Sequence, residues 1–214
     1  MADGVVKIQF DDLAQQREAD TLGMWAFLST ELLLFSGLFL GYLVYRYTYP
    51  ETFTEAGRHT HWVLGGINTA VLLTSSLTVA LATLAVKAKR RTTLIVLLSI
   101  TMLLGLAFIG IKGFEYYKEF QEQLAPFPGF TFHFEGQHPE QAKIFYSLYF
   151  IMTGLHALHL SVAIIIMAVM TVLTLRHHQW EKLEAKIDIS GLYWHFVDIV
   201  WVFLFPIIYL LGRS

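Results

Sequence analysis

Five ionisable side chains interrupt stretches of this sequence that are otherwise almost entirely apolar. Glu31 lies in a run of leucines and phenylalanines, and His156 and His159 lie three residues apart in "TGLHALHL". His195 and Asp198 are also three residues apart, in "GLYWHFVDIVWVFLF". Residues at this spacing share one face of a helix. Imidazoles and carboxylates in such positions bind metals, transfer protons or form polar contacts between helices.

The residues alone leave four uses of these groups open. A hydrogen-bonded structural network is favoured, because an unpaired polar group costs free energy in an apolar interior. A dihaem site needs histidines that face each other in pairs at two depths, whereas only about 4.5 Å of helical rise separates His156 from His159. A proton or solute path lacks the inverted repeat and broken helices of transporters. A groove that holds lipid head groups or acyl chains is the fourth alternative.

The surroundings of Asp198 favour the structural network. Trp194, Asp198 and Trp201 recur at i, i+4 and i+7, so the acid lies on an aromatic stripe rather than facing lipid. We therefore predict that His195 and Asp198 form a polar lock between helices. Counted from the same end of their spans, Glu31 and Asp198 lie at comparable depths, which predicts that Glu31 pairs with His195 or Asp198.

The composition indicates that these groups lie in a membrane protein. Hydrophobic residues make up 55% of the 214 residues, charged residues make up only 15%, and the mean hydropathy is +0.53. Soluble domains average about 25% charged residues. The net charge of −2 excludes the basic signature of a nucleic-acid binder. The absence of cysteine excludes disulfides and thiolate metal sites.

Five stretches are long and apolar enough to span a bilayer, which takes about 20 residues. They cover residues 22–45, 62–86, 92–111, 144–175 and 189–211. We predict an all-α, integral membrane bundle of five transmembrane helices, with a cytoplasmic N-terminal segment (1–21) before a single transmembrane domain (22–214). Lys and Arg number nine on the N-terminal side and six on the other, with most of the bias in the short "KAKRR" turn. The N-terminus is therefore predicted to be cytoplasmic and the C-terminus outside.

Three further features bear on packing. Gly37 and Gly41 form a GxxxG motif, which predicts contact with another helix of the bundle or with a neighbouring subunit. Pro206 is predicted to bend the fifth span. The segment from Lys112 to Lys143 is predicted to be a long outer connection, lying on the membrane surface or against a partner subunit because it is rich in phenylalanine. The phenylalanines concerned are Phe127, Phe130, Phe132 and Phe134.

Five stretches carry motifs that occur together in one family. They are "MWAFLSTELLLFSGLFLGY" (24–42), "INTAVLLTSSLTVALA" (67–82), "KGFEYYKE" (112–119), "YFIMTGLHALHL" (149–160) and "YWHFVDIVWVFLFPIIYLLG" (193–212). Taken in this order, they resemble subunit III of the haem–copper respiratory oxidases. The resemblance covers nearly the whole chain after residue 20, and five motifs in the right order are far more specific than any one of them.

The resemblance implies an accessory subunit that binds no cofactor itself and is not catalytic alone. Haem and copper would be held by its partners, subunits I and II. The chain would stabilise subunit I, structural phospholipids and proton uptake in a proton-pumping oxidase of the bacterial inner (cytoplasmic) membrane. A larger respiratory supercomplex is a further expected partner. Mitochondrial members have seven spans and this chain resembles their last five, so their lipid-filled cleft would here be open or closed by another subunit.

The resemblance also implies roles for particular residues. Glu31 and His159 would approach each other beside bound lipid, which conflicts with the pairing of Glu31 that depth predicts. With the other three ionisable groups of the spans, they would form an intramembrane polar cluster or lipid cleft. Arg176, at the end of the fourth span, is a candidate for binding a lipid phosphate. An ordinary positive-inside anchor is an equally good interpretation of Arg176.

The electron donor and the exact class of complex remain open. Cytochrome c is favoured, because "FLSTELLLF" with its glutamate resembles the cytochrome c group of the family. Subunit III of a quinol oxidase is the main alternative, and an accessory protein of nitric oxide reductases resembles the chain less closely. A small haem-binding membrane cytochrome is the alternative from a different class.

Overall fold

The structure, a computed structural model, describes residues 13–129, 131–136, 138–176 and 180–213. Within these residues the chain forms six α-helices and one π-helical segment, and no strand. The elements are α1 (Leu13–Thr48), α2 (Pro50–His59), α3 (Trp62–Lys87), α4 (Arg91–Gln121), α5 (Pro139–Arg176), α6 (Trp180–Phe205) and the π-helical segment Pro206–Leu210.

Five of the helices are long and apolar enough to cross a membrane, namely α1, α3, α4, α5 and α6. The predicted all-α fold with five membrane-length helices is therefore confirmed, while its orientation stays a prediction. The additional helix α2 has only 10 residues. It begins with Pro50 in its first turn, where a missing N–H costs nothing. The sequence patterns did not predict α2, because its polar composition resembles that of a loop.

The helices α3 to α6 form a four-helix core, in which α3 and α5 each contact both α4 and α6. The helix α1 packs on the outside of this core, against α5 and α6. Only 17% of the most apolar window of α1 is buried, against 56% for the span that contains α6. Since the rest of the chain covers so little of α1, most of the surface of this helix faces lipid or other subunits.

Three helices extend well beyond the predicted spans, and one of them, α6, begins at Trp180, nine residues before the predicted start. The helix α1 begins at Leu13, nine residues before the predicted start, and its 36 residues measure about 54 Å. The helix α4 continues to Gln121, ten residues beyond its predicted end. The predicted connection from Lys112 to Lys143 was therefore too long: its first ten residues belong to α4. Charged residues suggested a loop, but the residues at 112, 115 and 119 are buried on one face of α4.

The aromatic connection between α4 and α5 folds back onto its own chain. The ring of Phe127 lies 5.2 Å from that of Phe150, and the rings of Phe132 and Phe134 lie 6.0 and 6.3 Å from that of Tyr146. Only 7% of Phe134 is exposed. The expectation that these rings cover the membrane or a partner was therefore wrong for Phe132 and Phe134, which cover α5. Phe130 lies outside the described residues.

Glycines mark one close contact and one open surface. A Cβ atom at Gly212 would lie 3.0 Å from the Cα of Gly57, so the backbones of α2 and the C-terminal turn touch directly. By contrast, no atom lies within 4 Å of a Cβ added at Gly37 or Gly41. The predicted GxxxG contact with another helix of this chain is therefore absent from the described residues. At Pro206 the α-helix gives way to the π-helical segment, with Leu211 N–H donating to the Pro206 carbonyl at 3.1 Å.

The contact between Gly57 and Gly212 gives a testable prediction. We expect Gly212→Ala to lower the thermal unfolding midpoint of the detergent-solubilised protein, because the new methyl group forces two backbones apart. Overpacking of this kind costs about 1–3 kcal/mol. Gly23→Ala is the matched control, since no atom lies within 4 Å of its added Cβ. Equal midpoints for the two variants would contradict the direct backbone contact.

Candidate functional site

The structure pairs Glu31 of α1 with His159 of α5. His159 Nε2 and Glu31 Oε2 lie 2.9 Å apart, and His159 Nδ1 lies 2.8 Å from the carbonyl oxygen of Leu155. The two side chains remain 13% (His159) and 18% (Glu31) exposed. The approach of Glu31 to His159, implied by the family resemblance, is thus confirmed as a contact.

The two hydrogen bonds of His159 determine how many protons the pair holds. The Leu155 carbonyl only accepts, so His159 Nδ1 carries a hydrogen. The Nε2 contact with Glu31 then needs one further proton, either on the imidazole or on the carboxyl group. In both forms the pair has no net charge. A neutral pair avoids most of the cost of a lone charge at this depth, which is several kcal/mol.

Aromatic side chains from α1 and α6 surround the pair. The ring of Phe35, which is 1% exposed, meets the His159 ring edge-on at 5.3 Å and also contacts Phe196 at 6.4 Å. Tyr193 donates a hydrogen bond to the His159 carbonyl at 3.3 Å. The pair therefore sits in the seam where α1, α5 and α6 meet. Its partial exposure leaves it open on the side that faces away from the core.

Helix length brings Glu31 level with His159, and the rotation of α6 explains why the depth-based pairing of Glu31 was wrong. Counted from Leu13, Glu31 lies 18 residues along α1, about 27 Å, rather than the 14 Å estimated from residue 22. His159 lies 17 residues from the other end of α5, about 26 Å, so the two are level without strong tilt. Asp198 is also level with them, but its face of α6 turns toward α3.

A row of polar contacts joins α6 to α3. Trp194 Nε1 donates to Ser75 Oγ, and Trp201 Nε1 donates to Thr69 Oγ1, each at 3.0 Å. His195 Nδ1 and Ser76 Oγ lie 2.7 Å apart. Between the two serine contacts and the threonine contact, the residue numbers rise along α6 as they fall along α3, as expected for antiparallel neighbours. The row therefore holds α3 and α6 in a single register.

Asp198 lies within this row and has a different character. It is 3% exposed, between two tryptophans that are 0% exposed, so its predicted place on a buried aromatic stripe is confirmed. Among the described residues, neither carboxyl oxygen has a partner in good hydrogen-bonding geometry, although the Ser76 side chain of α3 lies close enough to interact with the carboxyl group. The polar contact between α6 and α3 at this point is therefore clearest at His195, which contacts the same serine.

His156 is separated from the other ionisable groups by aromatic rings. It is 0% exposed, its ring lies 5.5 Å from that of Phe108 and 5.1 Å from that of Trp201, and neither ring nitrogen has a hydrogen-bond partner. His156 faces α4 and α6, whereas His159 faces α1. The five predicted residues therefore occupy separate places along the helix seams and do not converge on one centre. The described part of the chain contains no group of three or more side chains suited to hold a metal ion.

A second buried cluster, which the sequence analysis did not single out, joins α4, α5 and the π-helical segment. Lys112 Nζ donates to Glu115 Oε2 at 3.0 Å, to Tyr149 OH at 3.1 Å and to Tyr209 OH at 2.7 Å. Both tyrosines donate to Glu115 Oε1, at 3.0 and 2.6 Å. All four residues are at most 2% exposed. The three donors of the ammonium group and both carboxylate oxygens are thereby satisfied.

One signal in the sequence could have revealed this cluster. Lys112, Glu115 and Glu119 are spaced i, i+3 and i+7, which places them on one face of a helix that continues the third span. A charged pair at this spacing inside a membrane-length helix indicates a buried ion pair rather than a loop. Only the tertiary structure shows the two tyrosines, which come from residues 37 and 97 positions later than Lys112.

Arg176 ends α5 and is exposed. Nearby, Arg91 of α4 donates to the carbonyl of Leu175. This arrangement puts the positive charge of Arg176 at the C-terminus of a long helix, where the helix dipole favours a cation. The position suits both the lipid-phosphate interpretation and the simple anchor, and the lipid role of Arg176 stays a prediction.

Fold and polar seams together define a multi-pass α-helical membrane protein whose intramembrane polar groups mainly join helices. A sequence model of the family "Cytochrome c oxidase subunit III" matches residues 11–213. The chain belongs to this family of haem–copper oxidase subunits, as its five motifs indicated. It is 34% identical to "Cytochrome c oxidase subunit 3" of Alkalihalophilus pseudofirmus over 191 residues, 89% of this chain and 86% of the relative. It is 30% identical to "Probable quinol oxidase subunit 3" of Staphylococcus aureus (strain USA300) over 205 residues, 94% of each chain.

The buried ion pair gives the second prediction. We expect Lys112→Met to destabilise the protein by about 3–5 kcal/mol, because it leaves Glu115 charged and uncompensated in a buried site. The double variant Lys112→Met/Glu115→Leu should recover much of this loss, since an apolar pair replaces the ion pair. The measurement is the thermal unfolding midpoint in detergent.

An exposed ion pair provides the control for this prediction. Lys87 and Asp188 lie 3.7 Å apart, with side chains 52% and 40% exposed. Lys87→Met should therefore change stability by less than about 1 kcal/mol. If Lys112→Met proved as mild as Lys87→Met, or if the double variant were worse than the single one, the buried network would not hold these elements together.

Proposed function

We propose that the chain is the accessory subunit III of a proton-pumping terminal oxidase that uses cytochrome c, in the bacterial cytoplasmic membrane. Its partners are the catalytic subunits I and II, which hold the haem and copper, while this chain holds no redox centre. It stabilises subunit I and proton uptake together with structural phospholipids. The single observation that carries the proposal beyond family membership is the neutral, partly open Glu31–His159 pair in the seam of α1, α5 and α6.

The chemistry of the pair supports a role beside lipid. A neutral acid–imidazole pair tolerates acyl chains nearby, yet it still offers a hydrogen-bond donor or acceptor to a head group or water that enters the seam. The pair also joins α1 to the core at the depth where α1 is otherwise apolar. A substitution of Glu31 that prevents it from sharing a proton with His159 would therefore loosen the seam without unfolding the bundle.

The outer surface of α1 supports assembly with other subunits. Gly37 and Gly41 provide a groove in which no atom of the described chain lies within 4 Å of an added Cβ. Small residues at this spacing allow the close approach of a second helix in lipid. Large apolar residues flank the groove, among them Leu33 and Leu40, which are 72% and 64% exposed. We assign this surface to contact with another subunit or its bound lipid.

A quinol oxidase is the second candidate for the complex. The observation that favours it is the relative from Staphylococcus aureus, which covers 94% of this chain and is named as a probable quinol oxidase subunit. The relative named for cytochrome c oxidase is slightly more similar, at 34% identity. The glutamate at position 31, within "FLSTELLLF", is the feature for which we prefer cytochrome c.

Purification of the native complex tests this assignment. A tag on this chain should isolate haem- and copper-containing partners from gently solubilised membranes, with oxygen consumption driven by reduced cytochrome c. Oxygen consumption driven by quinol, with no response to cytochrome c, would transfer the proposal to the quinol oxidase. Recovery of the chain alone, or of a chain with its own Soret absorption band, would refute the accessory-subunit role.

The role of Glu31 is tested within the same complex. Glu31→Gln keeps a polar side chain that can hydrogen-bond His159 but cannot share its proton, so we expect normal assembly. Retained phospholipid should decrease, or the oxidase should inactivate several-fold faster during turnover. Lipid is counted by mass spectrometry and inactivation is followed by oxygen consumption.

Glu140→Gln is the matched control, because Glu140 is exposed in the first turn of α5 and undergoes the same change from carboxyl to amide. We expect it to behave as the wild type. If Glu31→Gln and Glu140→Gln both leave lipid content and inactivation kinetics unchanged, Glu31 has only a structural contact with His159.

A further inference from the structure

A cavity of about 330 Å³ lies where α2 turns into α3, beside the end of α4. Five basic side chains line it, and none of its lining residues is acidic. The basic residues are Arg58, His59, His61, Lys118 and Arg213. They come from the α2–α3 connection, from the last turn of α4 and from the C-terminal end of the chain. We call this cavity the cationic pocket.

The charges of the cationic pocket form no ion pair within the described residues. The close contacts between acidic and basic side chains in that part of the chain are Lys87–Asp188, Lys112–Glu115 and Glu31–His159. None of them involves a residue of the cationic pocket, although Arg58 also lines a second cavity together with Glu51 and Glu55. Three permanent cations that line one cavity raise the electrostatic potential there and favour an anion.

One side chain of the cationic pocket is held in place for a ligand. Arg213 Nη2 donates to the carbonyls of Arg58 and Thr60, at 2.8 and 3.0 Å, and its guanidinium lies 5.7 Å from the centre of the Trp62 ring. These contacts use two of the five donors of a guanidinium and fix its orientation, which leaves the other three donors for a ligand.

The backbone adds to the positive potential. The 26-residue helix α3 begins at Trp62, on the wall of the cationic pocket, and no side chain caps its start. The first N–H groups of a helix lack partners within the helix and carry partial positive charge. The Trp62 N–H donates to the Thr60 carbonyl at 3.0 Å, so the N–H groups of the next two residues remain for a ligand. Helix starts of this kind bind phosphate groups when basic side chains are also present.

An apolar strip leads from the cationic pocket along the outside of the bundle. On α3 it contains Val63 and Ile67, which are 52% and 47% exposed, and on α4 it contains Phe114, which is 52% exposed. Trp62 lies where the apolar strip meets the cationic pocket and is 47% exposed. A tryptophan in such a position is typical of the membrane–water interface. A ligand with a phosphate at one end and acyl chains at the other would match both surfaces.

We propose that the cationic pocket binds the phosphate group of an anionic ligand at the membrane surface, with a phospholipid head group as the source that the adjoining strip favours. Arg58, Lys118 and Arg213 neutralise the phosphate, and the start of α3 donates N–H groups to it. The site lies at the opposite end of α3 from the "KAKRR" turn. It involves none of the residues of the Glu31–His159 seam, so the two proposals can fail separately.

The test compares lipid retention by the purified oxidase complex. The complex is delipidated in detergent, incubated with vesicles of phosphatidylglycerol and phosphatidylcholine, repurified and analysed by mass spectrometry. The wild type should retain phosphatidylglycerol preferentially. Arg58→Gln/Lys118→Gln should weaken that retention by roughly tenfold or more, because two basic residues near an anionic head group are removed. Lys89→Gln/Arg90→Gln, at exposed positions in the "KAKRR" turn, removes the same charge and should retain lipid as the wild type does.

A second arm with inorganic phosphate separates the two sources of the phosphate group. Binding of radiolabelled phosphate to the wild type but not to Arg58→Gln/Lys118→Gln, with unchanged lipid retention, would identify a soluble phosphate as the ligand. Equal lipid retention and equal phosphate binding in the two complexes would overturn the proposal. It would mean that another subunit covers the cationic pocket or supplies its missing acid.

A measurement on the wild-type complex covers the case in which the double variant does not assemble. Phosphatidylglycerol with a photoreactive group near its phosphate is added to the complex, and crosslinked peptides are mapped. Crosslinks should concentrate on residues 58–64 and on Lys118. Crosslinks that avoid both segments, or that are equally frequent with phosphatidylcholine, would refute the proposed site.

Discussion

The requirement that a polar group inside hydrocarbon find its partner within the protein determines how this bundle is held together. No water in the bilayer core can satisfy such a group, so most of them lie where a side chain of another helix can reach them, whereas His156 and Asp198 are enclosed among aromatic rings. The Glu31–His159 pair joins α1 to α5, and the contact of His195 with Ser76 joins α6 to α3. The Lys112 cluster joins α4 to α5 and to the C-terminal segment.

These three attachments differ in how completely they are enclosed. The Lys112 cluster is satisfied at every donor and acceptor of its ion pair and is sealed by aromatic residues, which suits a permanent structural role. The Glu31–His159 pair shares one proton and keeps part of its surface open. It lies between the core and a helix that is otherwise largely uncovered. The chain thus combines a closed core with a peripheral helix that the rest of the chain leaves largely uncovered.

The sequence predicted the fold class, the five membrane-length helices and the family, and it placed Asp198 on a buried aromatic stripe. These features follow from composition, from the 3.6-residue period and from motif order, which are all local properties of the chain. Helix ends were predicted less well: the polar ends of α1 and α4 resemble loops, although they continue as helices. Missing nine residues at the start of both α1 and α6 lowered the estimated depths of Glu31 and Asp198 by the same amount, about 14 Å, so the two residues still appeared level. The wrong partner came from the rotation of the helices, which depth alone does not describe.

The amino-acid sequence by itself thus determined which residues lie in the membrane-length helices and which family the chain belongs to, because hydrophobic length and motif order do not depend on distant contacts. Tertiary structure decided which polar groups meet, except that the family resemblance already implied the contact of Glu31 with His159. Glu31 and Asp198 lie at the same depth, but the rotation of their helices turns one toward His159 and leaves the other among tryptophans. The tyrosines that complete the Lys112 cluster come from two distant segments of the chain. Such pairings depend on how helices rotate and pack against one another, and a one-dimensional pattern does not contain that information.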